Sequence, residues 1–153
     1  FQSPPDAKAG EVAARASIRN DPTWTYSYIM LGRSLSLQGR YDEALQAYRD
    51  GATFNPGFYS LQFELGDVLL SLGKYNEALD ALNTARGIRE TPEVLVSTAG
   101  AYSMLGDLEQ SLAYLRQGLE AGFEPIEAIL GSPYFEPIRL DPGFEQLLAG
   151  VAD

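Results

Sequence analysis

Carboxylates are the one class of side chain in this sequence suited to acid–base work or cation binding: Asp and Glu total 21, and His and Cys are absent. Without an imidazole or a thiol there is no Ser-His-Asp or Cys-His pair, no structural zinc and no disulfide. Any general acid or base would have to be a carboxylate. Glu64 and Asp67, three apart, share a face of a helix and could hold a divalent cation there. Pairs at that spacing are common on solvated helix faces, however, and no loop carries the Asp-rich pattern of a calcium site. No glycines are spaced as in Gly-x-Gly-x-x-Gly, and Gly73-Lys74 runs into Tyr75 without the upstream glycine of a phosphate loop. The sequence therefore predicts no catalytic residue, no metal and no cofactor, and a carboxylate-based hydrolase is only a remote reading. The single tryptophan, Trp24, is expected to pack between helices, with ligand stacking as the alternative.

Lys and Arg total 11, which leaves a net charge of −10 and disfavours a nucleic-acid partner. The charge is uneven: residues 1–89 hold nine basic and ten acidic side chains, residues 90–153 two and eleven. Such a concentration would steer a basic partner, or serve only as a solubilising surface. With 45% hydrophobic residues in 153, the chain can bury a sizeable core, and one folded domain is expected. No run approaches the roughly 18 apolar residues of a membrane span. The lack of Cys fits an oxidising compartment and a small cytoplasmic domain equally, so localisation stays open. Phe1-Gln2-Ser3 resembles the remnant of a tag-removal protease site and is set aside as tag residue, which places the native start near Pro4.

The elements that would carry any site follow from an internal repeat. Gly32 recurs as Gly66, Gly39 as Gly73, Tyr41 as Tyr75, Ala44 as Ala78 and Leu45 as Leu79, each 34 positions on, and a turn glycine returns at Gly106. Apolar residues recur with helical period on both sides of each turn glycine, as in Tyr28, Leu31, Leu35 and then Tyr41, Leu45, Tyr48. Two helices joined by a tight turn are implied, with glycine supplying a left-handed residue at the end of the first. Gly32 and Gly66 fall inside first helices, where they cost about 1 kcal/mol relative to Ala, so close helix contact is expected there, admitted by the small Ala44 and Ala78.

Tyr28, Leu31, Gly32, Leu35, Ala44, Tyr48 and Pro56 resemble, in order, the signature of the tetratricopeptide repeat family. The second unit keeps Leu65, Gly66, Leu69, Ala78, Leu82 and Ala85 but has Gln62 in place of the aromatic; the third keeps Leu95, Ala99, Tyr102, Ser111 and Leu115. The resemblance implies an all-α fold of antiparallel helix pairs stacked in a right-handed superhelix. It divides residues 4–153, taken as one domain, into an N-terminal helix (4–22), repeats at 25–58, 59–91 and 92–120, and a helical cap (121–153). The helix at 6–19 occupies the place of the second helix of a preceding repeat, so it reads either as a cap or as the remnant of a longer array. After the third repeat, Glu124-Pro125, Ser132-Pro133, Glu136-Pro137 and Asp141-Pro142 each place proline where it suits the first turn of a helix. This proline-punctuated tail is similar to those that often close bacterial members of the family. It is expected to cover the last repeat, with docking through Tyr134 and Phe135 as the alternative.

By the resemblance, the concave groove is the binding surface. At 100° per residue, Tyr26, Ile29, Arg33 and Ser36 lie opposite Tyr28, Leu31, Gly32 and Leu35. The equivalent positions are Ser60, Phe63, Asp67 and Leu70, then Glu93, Val96, Gly100 and Ser103. With Glu64 and Ser97 added, the candidate site is Tyr26, Ile29, Arg33, Phe63, Glu64, Asp67, Glu93, Val96, Ser97 and Ser103. An apolar strip of Ile29, Phe63 and Val96 flanked by charge suits a protein or peptide offering apolar and basic side chains. The two-carboxylate clamp by which some family members grip acidic chaperone tails would fall on Ile29, Arg33, Glu64, Glu93 and Ser97. Four of these are uncharged or acidic, so that ligand is not expected. The competing reading is a structural appendage of a larger protein, mediating self-association or domain placement.

Overall fold

The computed structural model describes residues 5–150; the tag assigned to residues 1–3 lies outside them. By backbone packing the chain divides into two compact units, residues 1–88 and 89–153, where the sequence suggests one domain. Helical repeats contact only their neighbours in sequence, so a seam between repeats is where such an array separates most readily.

The first unit holds α1 (Pro5–Asn20), α2 (Thr25–Ser36), α3 (Tyr41–Phe54), α4 (Tyr59–Ser71) and α5 (Tyr75–Ile88). The pairs α2/α3 and α4/α5 are hairpins closed by Gly39 and Gly73 at φ of 73° and 72°. At the first turn the Arg40 N–H reaches back to the Leu35 carbonyl at 3.0 Å and the Gly39 N–H to Ser36 at 2.9 Å, satisfying helix-end carbonyls while the chain reverses. A Cβ on Gly32 would overlap the ring of Tyr48, and one on Gly66 would lie 2.7 Å from Cγ and Cδ2 of Leu82. The partner of each helical glycine is thus the large residue one turn beyond the small Ala44 or Ala78. Helix α1 packs on α2 through the buried Ala7 and Ala14. Glu11 ties it to the next turn, accepting from Arg40 Nη1 at 2.7 Å and Gln38 Nε2 at 3.0 Å.

The second unit holds α6 (Pro92–Leu105), α7 (Leu108–Glu120), the short α8 (Glu127–Leu130), a 3-10 helix (Pro133–Ile138) and α9 (Pro142–Ala149). Gly106, at φ 79°, closes the α6/α7 hairpin, and the Asp107 carboxylate caps α7 by accepting from the Gln110 N–H at 3.1 Å. Ser111, which replaces the small Ala of the earlier repeats, is fully buried and donates to the Ala99 carbonyl at 2.9 Å. Val96, Ala99, Leu115 and Leu119 of the hairpin form one buried cluster with Ile129, Phe135, Ile138 and Phe144 of the tail. Proline sits in the first turn at Pro133 and Pro142, as expected, and also at Pro92, whereas Pro125 lies just ahead of the Ile126 cap of α8. Pro137 corrects that pattern: it lies inside the 3-10 helix, whose short run lets a residue without an N–H sit mid-element.

Candidate partner-binding surface

Helix α2 sits among α1, α3 and α4, so eight of its twelve residues are buried. Ile29 is one of them, with 0% exposure, and it cannot line an open groove. A helical wheel assumes a single buried face; α2 has partners on several. Its accessible stripe is instead Tyr26, Met30, Arg33 and Leu37, at i, i+4, i+7 and i+11, of which Met30 and Leu37 are additions to the sequence reading. Trp24, expected between helices, is 55% exposed at the start of α2, with its ring 6.0 Å from that of Tyr26.

Arg33 does not stand as a free cation. Its Nε donates to Glu64 Oε1 of α4 at 2.6 Å, and the other carboxylate oxygen accepts from the Tyr48 hydroxyl of α3 at 3.1 Å. Three helices are joined at one carboxylate. Burial, then the negative Glu64, push the Tyr48 phenol far above its ordinary value, so it remains a proton donor. Both Glu64 oxygens are thus engaged within the fold, and no group of three His, Cys, Asp or Glu residues placed to hold a metal occurs among the described residues. On α4, Phe63 is half-buried and stacks on Tyr59 at 6.0 Å, while Asp67 lies one turn further along.

In the second unit, Glu93 is exposed and Ser97 half-buried on α6. Val96 and Ser103 are corrections of the same kind as Ile29, at 8% and 1% exposure. The tail is the reason for Val96, which joins the cluster with Ile129, Phe135 and Ile138. Tyr134 rests over the neighbouring Gly100, where an added Cβ would come within 3.1 Å of its own Cβ. Phe135, offered as a docking residue, is 2% exposed and belongs to this core. The apolar strip of Ile29, Phe63 and Val96 is therefore not a surface; what the fold leaves open is an aromatic, Met and Arg stripe on α2 beside Phe63 and Asp67 of α4.

The family profile for the tetratricopeptide repeat matches residues 29–93. A chloroplastic protein of Arabidopsis thaliana is 32% identical over 80 residues, which is 50% of this chain and 24% of that protein. The peroxisomal targeting signal receptor of Kluyveromyces lactis is 28% identical over 83 residues, 54% of this chain and 15% of that one. The chain thus spans a minor part of either relative. Among solved structures, a MamA crystal structure superposes with a TM-score of 0.79 at 14% identity, covering 96% of this chain and 87% of the other. A thermophilic tetratricopeptide repeat protein of Thermus thermophilus does so at 0.70 and 21%, covering 84% and 71%. A second MamA structure, from MSR-1, gives 0.66 at 26%, covering 76% and 68%.

Proposed function

Because the chain belongs to the tetratricopeptide repeat family, whose fold supports protein–protein interaction, we propose that it is a non-catalytic scaffold that binds a peptide or partner protein on the open face of α2 and α4. One observation carries this reading: the Arg33–Glu64 bridge holds the two helices together while Tyr26 and Met30 on one and Phe63 on the other stay accessible beside it. Aromatic and Arg side chains anchor most protein interfaces, and a surface fixed by ion pairing loses little freedom on binding. Asp67 favours a ligand that adds a basic group to its apolar side chains.

The test is selection of binders from a displayed random-peptide library, followed by affinity measurement against Tyr26→Ala/Phe63→Ala and against Asp67→Lys. Peptides carrying apolar and basic residues are expected, weakened roughly tenfold or more by either variant, with both variants still folded by circular dichroism at the assay temperature. No enrichment, or peptides indifferent to both variants, overturns the reading.

A further inference from the structure

We propose that a second copy of this chain docks its α1 into the cleft between α7 and α9, giving head-to-tail self-association. The cleft, of about 580 Å³, is lined by Leu112, Arg116, Leu119 and Glu120 of α7 with Gln146 and Leu147 of α9. Its floor is apolar and its rim polar, with Glu120 exposed on it, and Glu109 is exposed one turn before Leu112 on the same helix. Residues 89–153 hold eleven acidic and three basic side chains, so a ligand here should bring positive charge around an apolar side chain.

Helix α1 offers that chemistry. Lys8, Val12, Arg15 and Arg19 recur at i, i+4, i+7 and i+11 and are all exposed, Val12 at 68%. This face is turned about 120° from the Ala7 and Ala14 face that packs on α2, taking 100° per residue, so it is free to meet another surface without disturbing the first unit. Seating Val12 on Leu112 and Leu147 brings its flanking cations toward a rim that carries Glu120, on the helix that also exposes Glu109. Arg15, already paired with Glu11 at 2.9 Å, spares Arg116 a bare like charge. The two surfaces are different, so each copy can offer α1 to one neighbour and its cleft to another, and further copies can add.

This inference stands apart from the peptide-binding reading, which uses α2 and α4. Sedimentation equilibrium of the 16.7 kDa chain should give a mass that rises with concentration past that of a dimer, and less steeply in high salt. Val12→Glu puts a charge at the centre of the docking face of α1, and Glu120→Lys/Gln146→Lys reverses the rim; each substitution is at an exposed position and each variant alone should sediment as a monomer. Mixed, the two should form a one-to-one complex and nothing larger, because only one intact α1 and one intact cleft can meet. A wild-type mass that stays at one chain, association that survives both variants, or a mixture that stays monomeric overturns the proposal.

Discussion

Glu64 draws its role from partners that residue type does not show. Its spacing from Asp67 is common on solvated helix faces and predicts no metal, and its two oxygens are taken by Arg33 and by the Tyr48 hydroxyl. Those contacts link positions 31 and 16 residues away, which no local pattern encodes. Tyr48 carries a pH-dependent consequence. Its folded-state value is raised above the ordinary 10.0, first by burial and then by Glu64. Below that value the phenol is neutral in both states and its share of stability is fully present. As pH rises through it, the unfolded chain ionises while the folded one holds its proton, so stability falls. Denaturant midpoints followed from about pH 8 to about pH 11 should decline, and Tyr48→Phe should flatten the decline. The variant should also lose about 1 kcal/mol at neutral pH with its hydrogen bond to Glu64. An alkaline slope identical in the variant would contradict the burial and pairing described.

At the scale of the helix pair, the glycines set the packing. Gly32 faces Tyr48 and Gly66 faces Leu82, so both pairs keep the same spacing of 16 residues while the large partner changes from aromatic to aliphatic. Leu82 is fully buried and has nowhere to move, and Gly66→Leu should overpack α4 against α5 and destabilise by about 1–3 kcal/mol or more. Gly87→Ala, on α5 with nothing within 4 Å of its added Cβ, is the control and should be neutral or slightly stabilising. Equal melting temperatures for the two variants would contradict the packing of α4 on α5. This level was legible in advance, because turn glycines, apolar period and small residues repeat at 34 positions and each has a local cause. The exposed stripe was less so: Tyr26, Met30, Arg33 and Leu37 share a face by spacing, but only the number of helices packed on α2 decides that this face, and not that of Ile29, is open. The tail was half legible, since proline marks where Pro133 and Pro142 start elements but does not show that Tyr134 will cover Gly100.

For the molecule as a whole, the division at residue 89 has an energetic meaning. Each unit owns a buried core, the second built where Phe144 of α9 stacks on Phe135 of the 3-10 helix, centroids 5.9 Å apart, over Val96 and Leu115. The Asp141 carboxylate holds α9 in place by accepting from the N–H groups of Gly143 and Phe144 at 2.8 and 3.3 Å. Phe144 is 1% exposed, so Phe144→Ala should remove about 3–5 kcal/mol from this core. In a repeat protein stability is a sum of local terms and near-neighbour couplings, so the loss should not spread evenly. Amide exchange should accelerate most in α6 to α9 and least in α1 to α3, the elements furthest from the change in sequence. Equal acceleration throughout would instead make the chain one cooperative block. The distinction bears on function: independent opening of the second unit would dismantle the cleft lined by Leu112 and Leu147 while leaving the Arg33–Glu64 bridge intact. Self-association and peptide binding could then be lost separately, and Phe144→Ala should weaken the first while sparing the second.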